Sequence, residues 1–443
     1  MSKILIPTSY LLTILIMLSN TLSGQVEFES GLSIGPTPSD TVTAGTMRWN
    51  ATAERFEGYN GTRWVPFGGV GSLWGRPQAN RENSKPVTNT ISVDRSTISI
   101  GQAIGISDDI MAVGCPGAEG SGRVLTYSSV DSKPFEGPVI IPPGNAVPNG
   151  RFGAAIDVRD DLMLVGAPDA NRAYLYEKSI NVWNFVTELT VPDTTFTGGD
   201  LYGFALAITA DRAYVAAPFR GNGRIYLFER NGSNWTYTQM ITDPNASTTD
   251  EFASSIDASG SLLIAGAPRR GGGEVITFRP GLFGIWGVDE RLKPSDFDVS
   301  QDFGKQVVLD GNLILASAPE DGVSQGAVYV FSSFFTSWLQ TQKLTLPSPQ
   351  NFDGFGKSIA AHNGTLVVGS DFQATAEGNV FVYNLDTNEN KFVYQANLIS
   401  SQGNAGRYGE TVAVFNNVIA VGSPGLPDDS GFVDVGAFFI YIK

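Results

Sequence analysis

Paired acids recur along the chain: Asp108-Asp109, Asp160-Asp161, Glu320-Asp321 and Asp428-Asp429. Neighbouring carboxylates can ligate a cation, which asks for six to eight oxygens, or divide acid and base roles in cleaving a glycoside. A Ser-His-Asp site or a His-based metal centre would have to use His362, the single histidine. His362 directly precedes Asn363-Gly364, a turn pair, so an exposed strand end accounts for it. Cys115 is the single cysteine, which excludes an intrachain disulfide. It lies in an apolar run where the matching runs carry Ala167 and Ser423, so a small buried slot explains it better than a nucleophile. No phosphate-cradling glycine loop and no sialidase-type motif is present. The reading is a protein that is not an enzyme, with no catalytic residue, no metal and no cofactor assigned.

The elements that hold these residues follow from one stretch, FGAAIDVRDDLMLVGAP, residues 152–168. Its final four residues recur as VGCP, VAAP, AGAP, ASAP, VGSD and VGSP, ending at 116, 218, 268, 319, 371 and 424. Its first two recur as Ile100-Gly101, Tyr202-Gly203, Phe252-Ala253, Phe303-Gly304, Phe355-Gly356 and Tyr408-Gly409, always 15 positions ahead from the second residue to the end of the run. A glycine and an alternating aromatic strand follow in most units, such as GRIYLF (223–228) and GAVYVF (326–331), and a tryptophan often opens one more alternating run. Each unit of about 50 residues thus holds four strands, and radial repetition of four-stranded units is a β-propeller. The predicted fold is all-β: a seven-bladed β-propeller over 83–443 with a short N-terminal β appendage. The last unit lacks a fourth strand, and residues 86–93 (PVTNTISV) are expected to close it.

The paired elements resemble FG-GAP repeats, as in integrin α-chain propellers and secreted bacterial proteins. That resemblance implies a binding or adhesion scaffold. It also implies a calcium loop of D-x-D-x-D-G type in many members, and here the sequence departs. The central turn positions are Asp108-Asp109, Asp160-Asp161, Ala210-Asp211, Gly260-Ser261, Gly311-Asn312, Asn363-Gly364 and Asn416-Asn417. These loops are too short for such a cage, and most of the residues are types that tolerate positive φ in tight hairpins. Segment 44–68 resembles short aromatic repeats of phage tail-fibre and secreted Bacteroidetes-type proteins, which makes self-association through it an expectation.

Composition narrows the partners. The formal charge is −15, which excludes general nucleic-acid binding. Lys3 followed by the apolar run 4–18 and the small residues 19–24 reads as an export signal, residues 1–24. A secreted or cell-surface location without a membrane span in the mature chain follows as an expectation, with residues 25–82 as the appendage and a polar linker. Recognition is expected in the loops after the GAP elements, because loops on a rigid scaffold carry binding. The candidate ligand-binding residues are Phe219, Arg220, Arg269, Arg270, Glu320, Asp321, Phe372, Asp428 and Asp429. The expected ligand is an extracellular protein or glycan. The alternatives are a carbohydrate-active enzyme using loop carboxylates and a structural surface or fibre component.

Overall fold

In the computed structural model the propeller is described from residue 99 to 442, apart from 109, 129–134, 145–146, 180–181, 300, 336, 347–352, 371–377, 401–405 and 426–435; before it, backbone strands are described between 26 and 66. Contacts divide the chain into two units, Met1–Ser72 and Leu73–Lys443. The first holds a five-stranded sheet in chain order, Val26–Glu27, Ser33–Ile34, Thr46–Asn50, Arg55–Tyr59 and Trp64–Pro66, with antiparallel pairing among the last three. The expected signal 1–24 and the expected closing strand 86–93 lie outside the described residues.

The second unit is the propeller. Six antiparallel sheets hold four strands in chain order and the seventh, Thr411–Phe415, Val418–Ser423 and Ala437–Ile442, holds three described strands. The first strand of each sheet touches the first strand of the next, and Thr411–Phe415 touches Ile104–Ser107, so the ring closes. Among the described residues the core is divided rather than central. Seven apolar clusters each span two adjacent blades, the last joining Met111, Val113 and Tyr127 to Val418, Ala420 and Phe438. Second strands such as Leu162–Ala167 are buried along their whole length because sheets cover both faces. Outermost strands such as Asn234–Ile241 alternate between exposed and partly buried positions, as the period of two requires.

The repeated motif is the joint between blades. In all seven units the residue before the aromatic or aliphatic position has positive φ, from 50° to 62° (Ser99, Arg151, Leu201, Glu251, Asp302, Gly354, Arg407). The residue after it has φ from 67° to 91°, and the amide that follows closes a turn onto the first residue, as in Ala154 N to Arg151 O at 3.0 Å. This is the type II pattern, which explains the glycine. The glycine amide then donates to the middle of the GAP element of its own blade: Gly153 N to Gly166 O at 2.9 Å, Gly409 N to Gly422 O at 3.0 Å. The Phe152 backbone bridges to Gly122 of the preceding blade, while its ring meets Tyr174 of its own blade edge-on at 5.4 Å. The blades approach so closely that a Cβ on Gly166 would lie 2.1 Å from Gly203 O.

Candidate functional site

The loops after the GAP elements share one face with the linkers between blades, as the ion pairs between them show. Arg220, in the blade 3 loop, pairs with Asp193 at 2.7 Å and Asp200 at 3.9 Å, both in the linker from blade 2. Its guanidinium also lies 3.9 Å from the Phe196 ring centroid. Arg270, in the blade 4 loop, sits in a cage of Asp243, Asp250 (2.8 Å) and Glu274 (2.7 Å), with Arg291 bound to the same Asp243 and Glu274. Burial acts to raise the Asp243 carboxyl, but hydrogen bonds from Arg291, the Asn245 amide and Arg270 outweigh it and hold it at about 2. Asp321 is buried against Lys343 at 2.8 Å, with the Gln301 amide donating to it at 2.7 Å. Arg220, Arg270 and Asp321, expected from sequence to offer charge to a ligand, are therefore committed to staples that tie loop to linker. Phe219 is half-exposed and meets Phe204 edge-on at 6.0 Å. Phe372, Asp428 and Asp429 lie outside the described residues.

Arg269 and Glu320 have a different setting. With Pro268, Gly272, Val299 and Asp302 they line a cleft of about 410 Å³ between blades 4 and 5. The Arg269 side chain is half-exposed and loosely held, 3.6 Å from Glu251 and 3.5 Å from Asp302. Lys305 approaches Glu251 at 3.9 Å, and the Ser324 hydroxyl donates to Glu320. Burial pushes the Asp302 carboxyl up; Arg269 and Lys305 oppose the shift, while Glu320 and Glu251 add to it. Gly272 has φ 105°, and a Cβ there would lie 2.1 Å from Asp298 O, so the cleft floor admits only glycine. The arrangement offers a donor fork among three carboxylates to a polar ligand.

Glu251 and Asp302 were not among the sequence candidates. Both occupy the positive-φ position directly before an aromatic of the repeat, which projects a side chain onto the loop face. An acid adjoining the strongest motif in the sequence was the available signal.

The remaining chemistry-bearing residues stand apart from this cleft. Asp160 has φ 51° in its hairpin turn and its amide donates to Ser107 Oγ of the preceding blade at 2.9 Å. Asp108, Gly260, Gly311, Asn363 and Asn416 also have positive φ there, as their residue types suggest, whereas Ala210 does not. In that unit the Thr209 hydroxyl accepts from Arg212 N at 3.0 Å and orders the turn instead. His362 stacks on Phe415 with centroids 4.1 Å apart, next to the hairpin turn it precedes. Cys115 is fully buried and its thiol is pushed up to about 12 by burial, against the opposing pull of Arg123. Among the described residues no group of three or more His, Cys, Asp or Glu is placed to hold a metal ion. Among them, too, no helix is long and apolar enough to cross a membrane.

Two windows of the chain, 286–331 and 338–383, match the FG-GAP repeat family. Each runs from the outermost strand of one blade to the third strand of the next. No curated protein sequence matches the chain. Two solved structures share the fold at 11% identity. One, from Bacteroides uniformis and named a putative 6-phosphogluconolactonase, has a TM-score of 0.50 over 79% of this chain and 93% of its own. The other, U3-55K, has a TM-score of 0.53 over 78% of this chain and 96% of its own. At that identity they show the architecture alone. With its seven-sheet ring and its seven recurring joints the chain is a seven-bladed β-propeller, and residues 286–331 and 338–383 within it match FG-GAP repeats.

Proposed function

We propose that the propeller is an exported binding scaffold that takes an extracellular protein or glycan in the cleft between blades 4 and 5. The observation that carries this reading is the contrast between Arg270 and Arg269. The first is enclosed by carboxylates at bonding distance; the second is half-exposed and held only at 3.5 and 3.6 Å. A guanidinium so placed can exchange its long contacts for bidentate bonds to a ligand's oxygens. The carboxylates around it accept from hydroxyl or ammonium groups. Screening the purified chain on glycan and peptide arrays tests the reading. Binding that Arg269→Ala and Asp302→Asn both abolish supports it; binding indifferent to both removes the cleft from the function.

A second reading is favoured by Asp302 itself. A carboxyl raised by burial beside other carboxylates is the setting of a general acid in glycoside cleavage. Under this reading the ligand is a glycan and is hydrolysed. Product release from an array-positive glycan, lost in Asp302→Asn while binding persists, would select it over simple recognition.

A further inference from the structure

The face opposite the cleft carries the most exposed large apolar side chains among the described residues. They lie on two hairpin tips that join the third and fourth strands of blades 4 and 5. At the blade 4 tip Leu282 is 83% and Phe283 97% exposed, followed by exposed Ile285; at the blade 5 tip Phe335 is 90% exposed beside Phe334. The two Phe334 and Phe335 rings meet edge-on at 4.7 Å, so they shield one another little from water. The outermost strands behind the tips are linked, with Trp338 N donating to the Glu290 carboxylate at 3.0 Å, and Trp286 and Trp338 are buried at their bases. The two neighbouring hairpins are therefore tied to each other, with their tips on one face.

Their backbones are strained for the residues they carry. Phe283 has φ 63° and Phe335 φ 55°, a region that disfavours bulky side chains. At the tip of blade 3 the place of Phe335 is taken by Gly232, and the blade 6 tip puts Asn390 at φ 51°. Glycine or asparagine would ease the turn at both positions. Phenylalanine there exposes an apolar ring at a conformational cost, so its use is outside the fold.

Charge identifies the occupant. In a chain of formal charge −15, residues 280–288 and 326–342 contain no charged side chain, whereas the blade 6 tip 386–391 holds Asp386, Glu389 and Lys391. The charges that flank the blade 4 hairpin in sequence, Arg279 and Asp289, neutralise each other at 2.9 Å, and Arg212, 5.9 Å from the Trp286 ring centroid at its base, is itself paired with Asp211 and Glu229. A pair of exposed tips without charged side chains offers a partner no charge to set a register. It suits a fluid apolar phase, where a carried charge would be costly. We infer that the two tips insert into a neutral lipid bilayer surface, with Leu282, Phe283, Ile285, Phe334 and Phe335 entering the acyl boundary. This seats the propeller by that face and leaves the cleft directed to solvent.

The test is co-sedimentation of the full chain with phosphatidylcholine vesicles, beside the Phe283→Gly/Phe335→Gly double variant. Glycine keeps both backbone conformations, so the variant is expected to melt at the same temperature or higher. The unmodified chain is expected to partition onto the vesicles, and the variant to lose at least about tenfold in partitioning. No association of the unmodified chain overturns the inference, and so does equal association of the variant. A concentration-dependent dimer that the double variant abolishes, with vesicles ignored, assigns the tips to a second copy and overturns it too. The cleft takes no part in these readouts, so ligand binding by the cleft stands or falls separately.

Discussion

Ile100 pairs with Gly436 across the seam between the first and last blades, just as Phe152 pairs with Gly122 one blade further round. The same joint that separates neighbours also closes the ring. A Cβ on Gly436, at φ 81°, would lie 2.4 Å from Ile100 O, and one on Gly422 would lie 2.2 Å from Gly101 O. Sheets that pack only through pairwise interfaces gain their last interface at this seam, so it ties the ends into one cooperative unit.

That seam can be broken selectively. Gly436→Ala combines the left-handed backbone cost, about 1–2 kcal/mol, with a backbone clash of about 1–3 kcal/mol. Gly260 has φ 57° but nothing within 4 Å of an added Cβ, so Gly260→Ala incurs the first cost alone. Chemical denaturation should show the seam variant losing the larger stability. Equal losses would mean that the seam contributes nothing beyond local backbone strain.

Adjacent arginines should separate by role. Arg270→Met leaves Asp243, Asp250 and Glu274 with Arg291 as the nearest remaining countercharge to two of them, and should cost about 3–5 kcal/mol. Arg269→Ala removes only long, half-exposed pairs and should cost about 0–1 kcal/mol. Urea midpoints for the two variants decide this. A large loss for Arg269→Ala would make it a structural residue and withdraw the main support for the cleft.

How far the sequence reached is visible in these residues. The fixed 15-residue offset announced seven equivalent joints, because one backbone geometry is needed at each and it dictates residue types. The hairpin turns were legible for the same reason: Asp160, Gly260 and Asn363 are types chosen for positive φ. The site was less legible. Arg220 and Arg270 share one repeat position, and their partners Asp193 and Asp243 recur with them 27 residues upstream, but a separation of that length does not by itself announce a contact, and Arg269 differs from them by lacking such a partner. Asp257 could have drawn notice as an acid between Ile256 and Ala258 in a first strand, but its partner Leu309 N belongs to the next blade.

Asp257 should give the fold a pH dependence opposite to the usual acid denaturation. Burial pushes its carboxyl up to about 7; the Leu309 amide opposes this, Asp157 adds to it and Arg159 opposes it. The folded chain then keeps a proton that the unfolded chain releases near pH 4. Stability from this group is fully present below about pH 4 and falls as pH rises to about 7, above which it is constant. At about 1.4 kcal/mol per unit the loss is at most about 4 kcal/mol. Asp243, held at about 2, works the other way: its contribution is lost only as pH falls from about 4 towards 2. Denaturation midpoints from pH 4 to 7 should fall in the parent and fall less steeply in Asp257→Asn, where Asp157 and Asp302, also raised by burial, keep part of the slope. An unchanged slope in that variant would show that Asp257 is ionised throughout.

Cys115 supplies a probe of the same equilibrium. It is the single cysteine, fully buried, with its thiol pushed up to about 12. A thiolate reagent therefore finds neither access nor nucleophile in the folded chain. Labelling at neutral pH should be negligible under native conditions and complete in denaturant. Because Cys115 packs in the cluster that joins the first blade to the last, Gly436→Ala should accelerate labelling more than Gly260→Ala does. Rapid labelling of the unmodified folded chain would instead show that the seam between those blades opens on its own.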